Sequence, residues 1–447
     1  MLISFAVENF LSFRDKATFS MVASREKQHW ERLPHIREQN LRLLPVAAIY
    51  GGNASGKTNF FKAINFARHL VIQGTKPDTL IPVEPYRLDK RCLSEPAGFY
   101  FELLAGRKCY EFGFRVTRQG VVEEWLAEIL KTTEKELYRR KGDTISFDPA
   151  LNRDDFLHFA FKGTRDNQLF LTNAVNQKVE IFKPIYDWFR DSLVLIAPDA
   201  RFGPFEQFME QDGPFNDFMN EALARLDTGI ARIGGEAVPF ENLPFPSGLI
   251  DKIKAELGGE TTARVHLEPH GERYVISRVN DEIRAQKLVC YHVGADNREI
   301  KFDLKDESDG TLRVIDLLPA FLGLCQAESS RVYLIDEMDR SLHTLLTGQL
   351  LADYLAACGE GSRSQLLFTT HDVLLMDQKL LRRDEMWVAE RDQAGCSELI
   401  PFSDYKEIRH DKDIRKSYLQ GRLGGVPKIL FAGPLQPAVE VAAGGRR

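Results

Sequence analysis

Apolar positions along the chain fall into two alternating kinds of run. Leu44–Tyr50, Arg331–Ile335 and Gln365–Thr369 are short, nearly continuous apolar stretches, the pattern of strands covered on both faces. Asn59–Gln73, Leu312–Cys325 and Ser341–Cys358 carry apolar residues at helical spacing, which predicts amphipathic helices packed beside those strands. Leu2–Val7 reads as a further strand, followed by an aromatic-bearing turn over Asn9–Asp15. Between Phe99 and Leu130 three β-rich runs, Phe99–Leu104, Cys109–Val116 and Val121–Leu130, are separated by turns at Ala105-Gly106 and Gln119-Gly120. That spacing predicts an antiparallel meander. The expected fold is therefore α/β, with a mixed core sheet and an antiparallel β-subdomain.

The middle of the chain lacks this rhythm. Helical patterns cover Asn176–Arg190 and Glu206–Leu226, Gly234–Gly248 is rich in Pro and Gly, and Ala263–Val279 resembles a hairpin. We read 133–290 as an inserted, mainly helical subdomain that splits the α/β core into 1–132 and 291–402. Residues 403–435 form a tail, and the Ala/Gly-rich 436–447 is expected to be disordered.

Composition narrows the function classes. Hydrophobic residues make up 43% and charged residues 28% of 447, ordinary values for a globular chain of two or three units. A net charge of −6 speaks against a uniformly basic nucleic-acid coat but leaves a local groove open. Arg139-Arg140-Lys141 and Arg382-Arg383 read as solvated surface more readily than as phosphate contacts. Six scattered cysteines without CxxC pairs suggest neither a zinc site nor a disulfide framework. With no leader-like start and no apolar span of membrane length, a cytoplasmic, membrane-free protein is expected.

The chemistry lies at the ends of the apolar runs. Gly51-Gly52-Asn53-Ala54-Ser55-Gly56-Lys57-Thr58 fits GxxxxGK[ST] between a strand and a helix. Its glycines admit close approach, its backbone N–H groups cradle phosphates, Lys57 reaches the β/γ oxygens, and Thr58 holds Mg²⁺. Gly51, Asn53, Ala54, Ser55, Gly56, Lys57, Thr58 and Asn59 are thus the expected ATP contacts. Val332–Ile335 ends in Asp336-Glu337, the form of a Walker B segment, with Asp336 as a metal ligand and Glu337 as the group that polarises the attacking water. Leu366-Leu367-Phe368-Thr369-Thr370-His371-Asp372 is a further strand ending in a histidine able to donate to a γ-phosphate. Glu307-Ser308-Asp309-Gly310-Thr311 precedes a helix, so Ser308 and Gly310 offer a hydroxyl and N–H groups at a helix N-terminus, although SDG is also a common turn. Met338-Asp339-Arg340-Ser341-Leu342-His343 reads as a connecting loop or as a helix start capped by Asp339 or Ser341.

These motifs resemble those of ABC-type ATPases of bacterial anti-phage and abortive-infection systems, RloA- or AbiL-like, akin to OLD, RecF and SMC heads. The opening NFLSFRD, GGNASGKTNF, ESDGT, YLIDEMDRSLH, FTTHD and the tail Tyr418–Pro427 carry the likeness across nearly the whole chain, with 133–290 matching loosely. The resemblance implies an ABC-type P-loop head that binds and hydrolyses Mg-ATP, with Lys57, Glu337 and His371 catalytic and 338–343 serving as a D-loop. It implies a homodimer or higher oligomer with ATP sandwiched between Ser308 and Gly310 of one subunit and the phosphate loop of the other. It places Asn9, Ser12, Phe13 and Arg14 near the base and ribose, a packed turn being an equally good reading of these four, and leaves the Q-loop glutamine unassigned, since Gln119 sits in a turn. It further implies a sensor or regulator that answers a phage trigger and controls a separately encoded effector, such as a TOPRIM-like or RloB-like nuclease.

Three rivals differ in kind. A transporter subunit is disfavoured because more than half of the chain separates Gly56 from Ser308. A RecF- or SMC-like DNA-repair ATPase fits the motifs, although long coiled-coil heptads are missing. An ATP-gated scaffold with slow turnover would keep the same motifs.

Overall fold

The computed structural model describes residues 1–200, 214–257, 264–267, 271–279, 282–405 and 413–426. Strands β1 (Leu2–Glu8), β2 (Ala17–Ser20), β3 (His35–Ile36), β4 (Leu41–Arg42) and β5 (Val46–Tyr50) precede helix α1 (Lys57–Gln73). Then come β6 (Ala97–Ala105), β7 (Lys108–Val116), β8 (Val121–Ile129), β9 (Glu134–Lys141), β10 (Thr144–Phe147), α2 (Asp155–Lys162), α3 (Phe170–Asn176), α4 (Lys183–Asp187) and β11 (Leu193–Ile196). After α5 (Pro214–Arg225) follow β12 (Ile230–Ala237), α6 (Ser247–Leu257), β13 (Arg264–Leu267), β14 (Tyr274–Val279), β15 (Glu282–Val293) and β16 (Glu299–Asp303). The chain continues through α7 (Asp309–Cys325), β17 (Val332–Ile335), α8 (Thr344–Ala357), β18 (Gln365–Thr369), β19 (Met386–Arg391), β20 (Ser397–Pro401) and α9 (Ile414–Leu419).

The core sheet runs β11-β17-β18-β5-β19-β20, parallel up to the antiparallel β20. Its central strands are buried at every position because alternate side chains enter different cores. Ala47, Ile49, Leu334 and Leu367 face one apolar cluster with Phe60 and Ile64 of α1. Val46, Ala48, Tyr333, Ile335 and Phe368 face another with Ile315 and Leu318 of α7 and Leu351 of α8. This two-sided burial explains why the sequence shows unbroken apolar runs here.

The antiparallel sheet is larger than the three strands expected: β10-β9-β8-β7-β6-β1-β2 forms seven. Gln365 stitches it to the core sheet, accepting from Leu2 N at 2.6 Å and donating to Leu2 O at 3.0 Å and Leu44 O at 3.1 Å. Arg140 on β9 and Arg382 are buried, not solvated as their sequence context suggests. Arg140 donates to Gln168 O at 2.6 Å, and Arg382 pairs with Asp384 at 2.7 Å.

Residues 133–290 hold more strand than their sequence pattern suggests. β9 and β10 extend the meander, β11 pairs in parallel with β17 inside the core sheet, and β12-β15-β14-β13, with β16 beside β15, make a separate antiparallel sheet. Helices α2 to α6 lie within the same span. The expected helix over 206–226 is seen as Pro214–Arg225, its earlier part lying outside the described residues. In the tail, Ile414, Tyr418 and Leu423 join the second apolar cluster. Pro427 and 436–447 lie outside the described residues. Among the described residues no helix is long and apolar enough to cross a membrane.

Candidate functional site

β5, β17 and β18 are parallel neighbours, so their carboxyl ends open on one edge of the core sheet, where α/β folds place ligands. Gly51, Asp336 and His371 lie at or just beyond those three ends. A cleft of about 670 Å³ is lined by Asn53 to Asn59, Glu337 and His371.

The phosphate loop turns from β5 into α1 through backbone that favours glycine. Gly56 has φ 113°, and a Cβ there would lie 2.4 Å from Ser397 Oγ, so glycine is required by conformation and by space. Lys57 opens α1 and is buried, with Nζ donating to Gly51 O at 2.7 Å and Gly52 O at 3.1 Å. Burial lowers its pKa to about 8, only partly opposed by Asp336, Glu337 and Asp339. Thr58 is exposed at the cleft, and Asn59 Nδ2 donates to Ser12 Oγ at 2.8 Å.

Thr369, the last residue of β18, organises the acidic pair. Its hydroxyl donates to Asp336 Oδ1 at 2.5 Å and accepts from the Glu337 amide at 2.8 Å. Glu337 has φ 50°, the left-handed region that costs a non-glycine residue energy. The turn so formed carries its carboxylate into the cleft while Asp336 stays fully buried. His371 has its amide bonded to Asp339 Oδ2 at 3.4 Å. Its pKa is lowered by partial burial first and by Lys57 second, which keeps the imidazole neutral near pH 7.

Ser308 and Gly310 are not in this cleft. Ser308 is exposed and caps α7, its Oγ accepting from Thr311 N at 3.1 Å. Gly310 passes so close to the loop after β17 that a Cβ would lie 2.8 Å from Ser341 O. In that loop the residue capping α8 is His343, whose Nδ1 accepts from Leu345 N at 3.2 Å, rather than Asp339 or Ser341. Ser341 has φ 60° and lies before the helix.

The N-terminal turn divides. Leu11 and Ser12 line the cleft, whereas Phe13 is buried in the core and Arg14 pairs with Asp15 at 2.7 Å. Asn9 is structural: its Nδ2 donates to Cys92 O at 2.8 Å and Glu95 O at 2.9 Å, and its Oδ1 accepts from Tyr86 N at 3.1 Å. The bond from Tyr86 holds the segment Glu84 to Leu88, which with Arg391 and Gly395 forms the rest of the cleft wall. No motif marks these residues; only the fold brings them to the phosphate loop.

The donor set suits a magnesium nucleotide. The volume is that of a small-ligand site, the loop presents amides and a buried ammonium, and Asp336 Oδ2 is buried with no hydrogen-bond partner. A buried carboxylate oxygen without a partner is costly unless a cation meets it. Among the described residues no cluster of three or more His, Cys, Asp or Glu could hold a metal. Mg²⁺ rarely uses such a cage, taking one or two protein oxygens and the rest from phosphate and water.

The sequence matches the family model described as "AAA domain, putative AbiEii toxin, Type IV TA system" over residues 46–377. No curated protein matches. Among solved structures, an SMC head domain from Thermotoga maritima is 13% identical, covering 90% of this chain and 98% of its own, with a TM-score of 0.37. An SMC head bound to the C-winged helix domain of ScpA is 12% identical, covering 89% and 97%, with a TM-score of 0.40.

Proposed function

The chain belongs to this AbiEii-type AAA-domain family, and on that premise we propose that it binds and hydrolyses ATP between two copies of itself. The observation that carries the proposal is a division of labour. The phosphate loop, Asp336, Glu337 and His371 converge on one edge of the core sheet, while the exposed Ser308 caps α7 and Gly310 lies in the first turn of that helix, neither of them lining that cleft. Head-to-tail pairing would close each cleft with the partner's Ser308 hydroxyl and α7 N-terminus, groups suited to a γ-phosphate.

In this reading Lys57 and the loop amides bind the β- and γ-phosphates, Thr58 and Asp336 hold Mg²⁺, and Glu337 orients the attacking water. His371 donates to the γ-phosphate. Magnesium, when bound, supplies charge neutralisation to the phosphates. Ser12, Tyr86 and Arg391 stand where base and ribose extend from the loop. The family's description supports a toxin–antitoxin context; within it we propose, on the likeness of the motifs to anti-phage ATPases, a sensor or regulator of abortive infection that acts on a separately encoded effector of TOPRIM-like or RloB-like nuclease type.

Glu337→Gln is expected to retain MgATP binding and lose turnover. Equal turnover in variant and wild type would refute the assignment. Mixing Ser308→Arg with Lys57→Ala subunits should restore one composite site per dimer; no recovery refutes the shared site. Purification with the product of a neighbouring gene tests the effector, and turnover stimulated by DNA instead would favour a repair ATPase.

A further inference from the structure

Helix α7 has a buried polar face that the chemistry above does not use. Arg313, on its first turns, is 6% exposed, and its Nη2 lies 3.4 Å from the backbone carbonyl oxygen of Glu337. Both ends of the left-handed Glu337 are therefore held by side chains from other elements, the amide by Thr369 and the carbonyl by Arg313. Burial holds the Arg313 guanidinium below the ordinary arginine range, with Asp316 the largest opposing influence.

One turn further along the same face, Asp316 meets Arg273 with Nη2 at 2.8 Å from Oδ1 and 3.0 Å from Oδ2, each residue being 2% exposed. Arg273 immediately precedes β14, so the pair ties α7 to the sheet β12–β16. A second tie joins His292 of β15 to Glu307, the residue before Ser308, at 2.6 Å. Buried ion pairs give little stability over apolar packing of the same volume, so stability alone is a weak reason for a charged link here. A link that fixes the register of one element against another is the better-attested use.

We propose that Arg313 is a positioning residue for Glu337, and that Arg273–Asp316 transmits the placement of the β12–β16 sheet to it through α7. A displacement of that sheet then changes turnover and leaves ATP affinity alone. The inference rests on the reading of Glu337 as the water-orienting residue.

The test uses the full-length chain, with MgATP turnover and equilibrium binding of a fluorescent ATP analogue measured side by side. Arg313→Ala is expected to lower kcat by about 100-fold, the loss seen when a reacting group is misplaced by about 1 Å, with analogue Kd within about twofold of wild type. In Glu337→Gln the same change should cause no further loss, because the two residues act as a unit. Arg273→Met with Asp316→Leu removes both charges, keeps the volume filled, and should lower kcat in the same direction at an unchanged melting temperature. This double variant also carries the test if Arg313→Ala does not fold. Wild-type kcat in the variants, while Glu337→Gln is inactive, overturns the proposal and leaves the ATPase reading standing. Weakened analogue binding together with a lowered melting temperature also overturns it. Wild-type turnover in Glu337→Gln itself removes the ATPase assignment instead.

Discussion

Raising the pH from 7 to 9 is expected to weaken ATP binding through a single amine, Lys57. In the folded chain its pKa is lowered from 10.5 to about 8, burial being the first cause and Asp336, Glu337 and Asp339 opposing it. A base with a lowered folded pKa favours its neutral form in the fold. The ammonium therefore costs the free protein about 3 kcal/mol at neutral pH, a penalty relieved as pH rises from 8 towards 10.5. A bound triphosphate reverses this by holding the charged form, so nucleotide binding must take up a proton wherever the free site has lost it. The affinity should fall about tenfold between pH 7 and pH 9, with uptake of about three quarters of a proton at pH 8.5. Titration calorimetry at pH 8.5 in two buffers of different ionisation enthalpy measures that uptake directly. The window lies above the titration of the terminal phosphate of ATP, which removes the ligand's own contribution. Lys57→Arg, charged throughout, should show no pH dependence between 7 and 9 whatever its absolute affinity. A flat wild-type affinity over this range, with no proton uptake, would refute the reasoning.

Three further expectations follow from the packing. Thr369→Val strips a partner from both Asp336 and the Glu337 amide, and should cost about 1–3 kcal/mol in chemical denaturation together with most of the turnover. Gly56→Ala forces a side chain onto φ 113° and Ser397 Oγ; analogue binding should be lost, and near-wild-type binding would show the loop to be more yielding than its geometry implies. Phe60→Ala empties a site where Phe5 and Phe19 rings lie at 5.6 and 5.2 Å, and should lower unfolding free energy by about 3–5 kcal/mol, checked by urea unfolding.

The site was legible in the sequence wherever a strand buried on both faces runs into a residue that carries chemistry. Val46–Tyr50 before Gly51, Val332–Ile335 before Asp336 and Gln365–Thr369 before His371 all have that form. The β12–β16 sheet was illegible because its strands lack clean alternation. IARIGGEA carries two glycines, and Glu299–Asp303 is exposed along nearly its whole length. Leu193–Ile196 is apolar but only four residues long, and nothing local says that it pairs with a strand far along the chain. Asn9 is ambiguous in sequence for a related reason: its neighbours Leu11 and Ser12 do reach the cleft, whereas its own amide is spent on three backbone groups, as the packed-turn reading expects.

The position of β5 at the centre of the core sheet has a consequence for how the molecule is made. Its two neighbours there, β18 and β19, both come from beyond residue 364. Long-range parallel pairing of this kind is slow to form, since loop closure must precede the contacts that reward it. During synthesis at about 5–20 residues per second, the phosphate-loop strand emerges early and waits unpaired while most of the polypeptide is still being translated. A chain ended before Gln365 would lack both strands that flank β5, so the core sheet could close around it only late in translation.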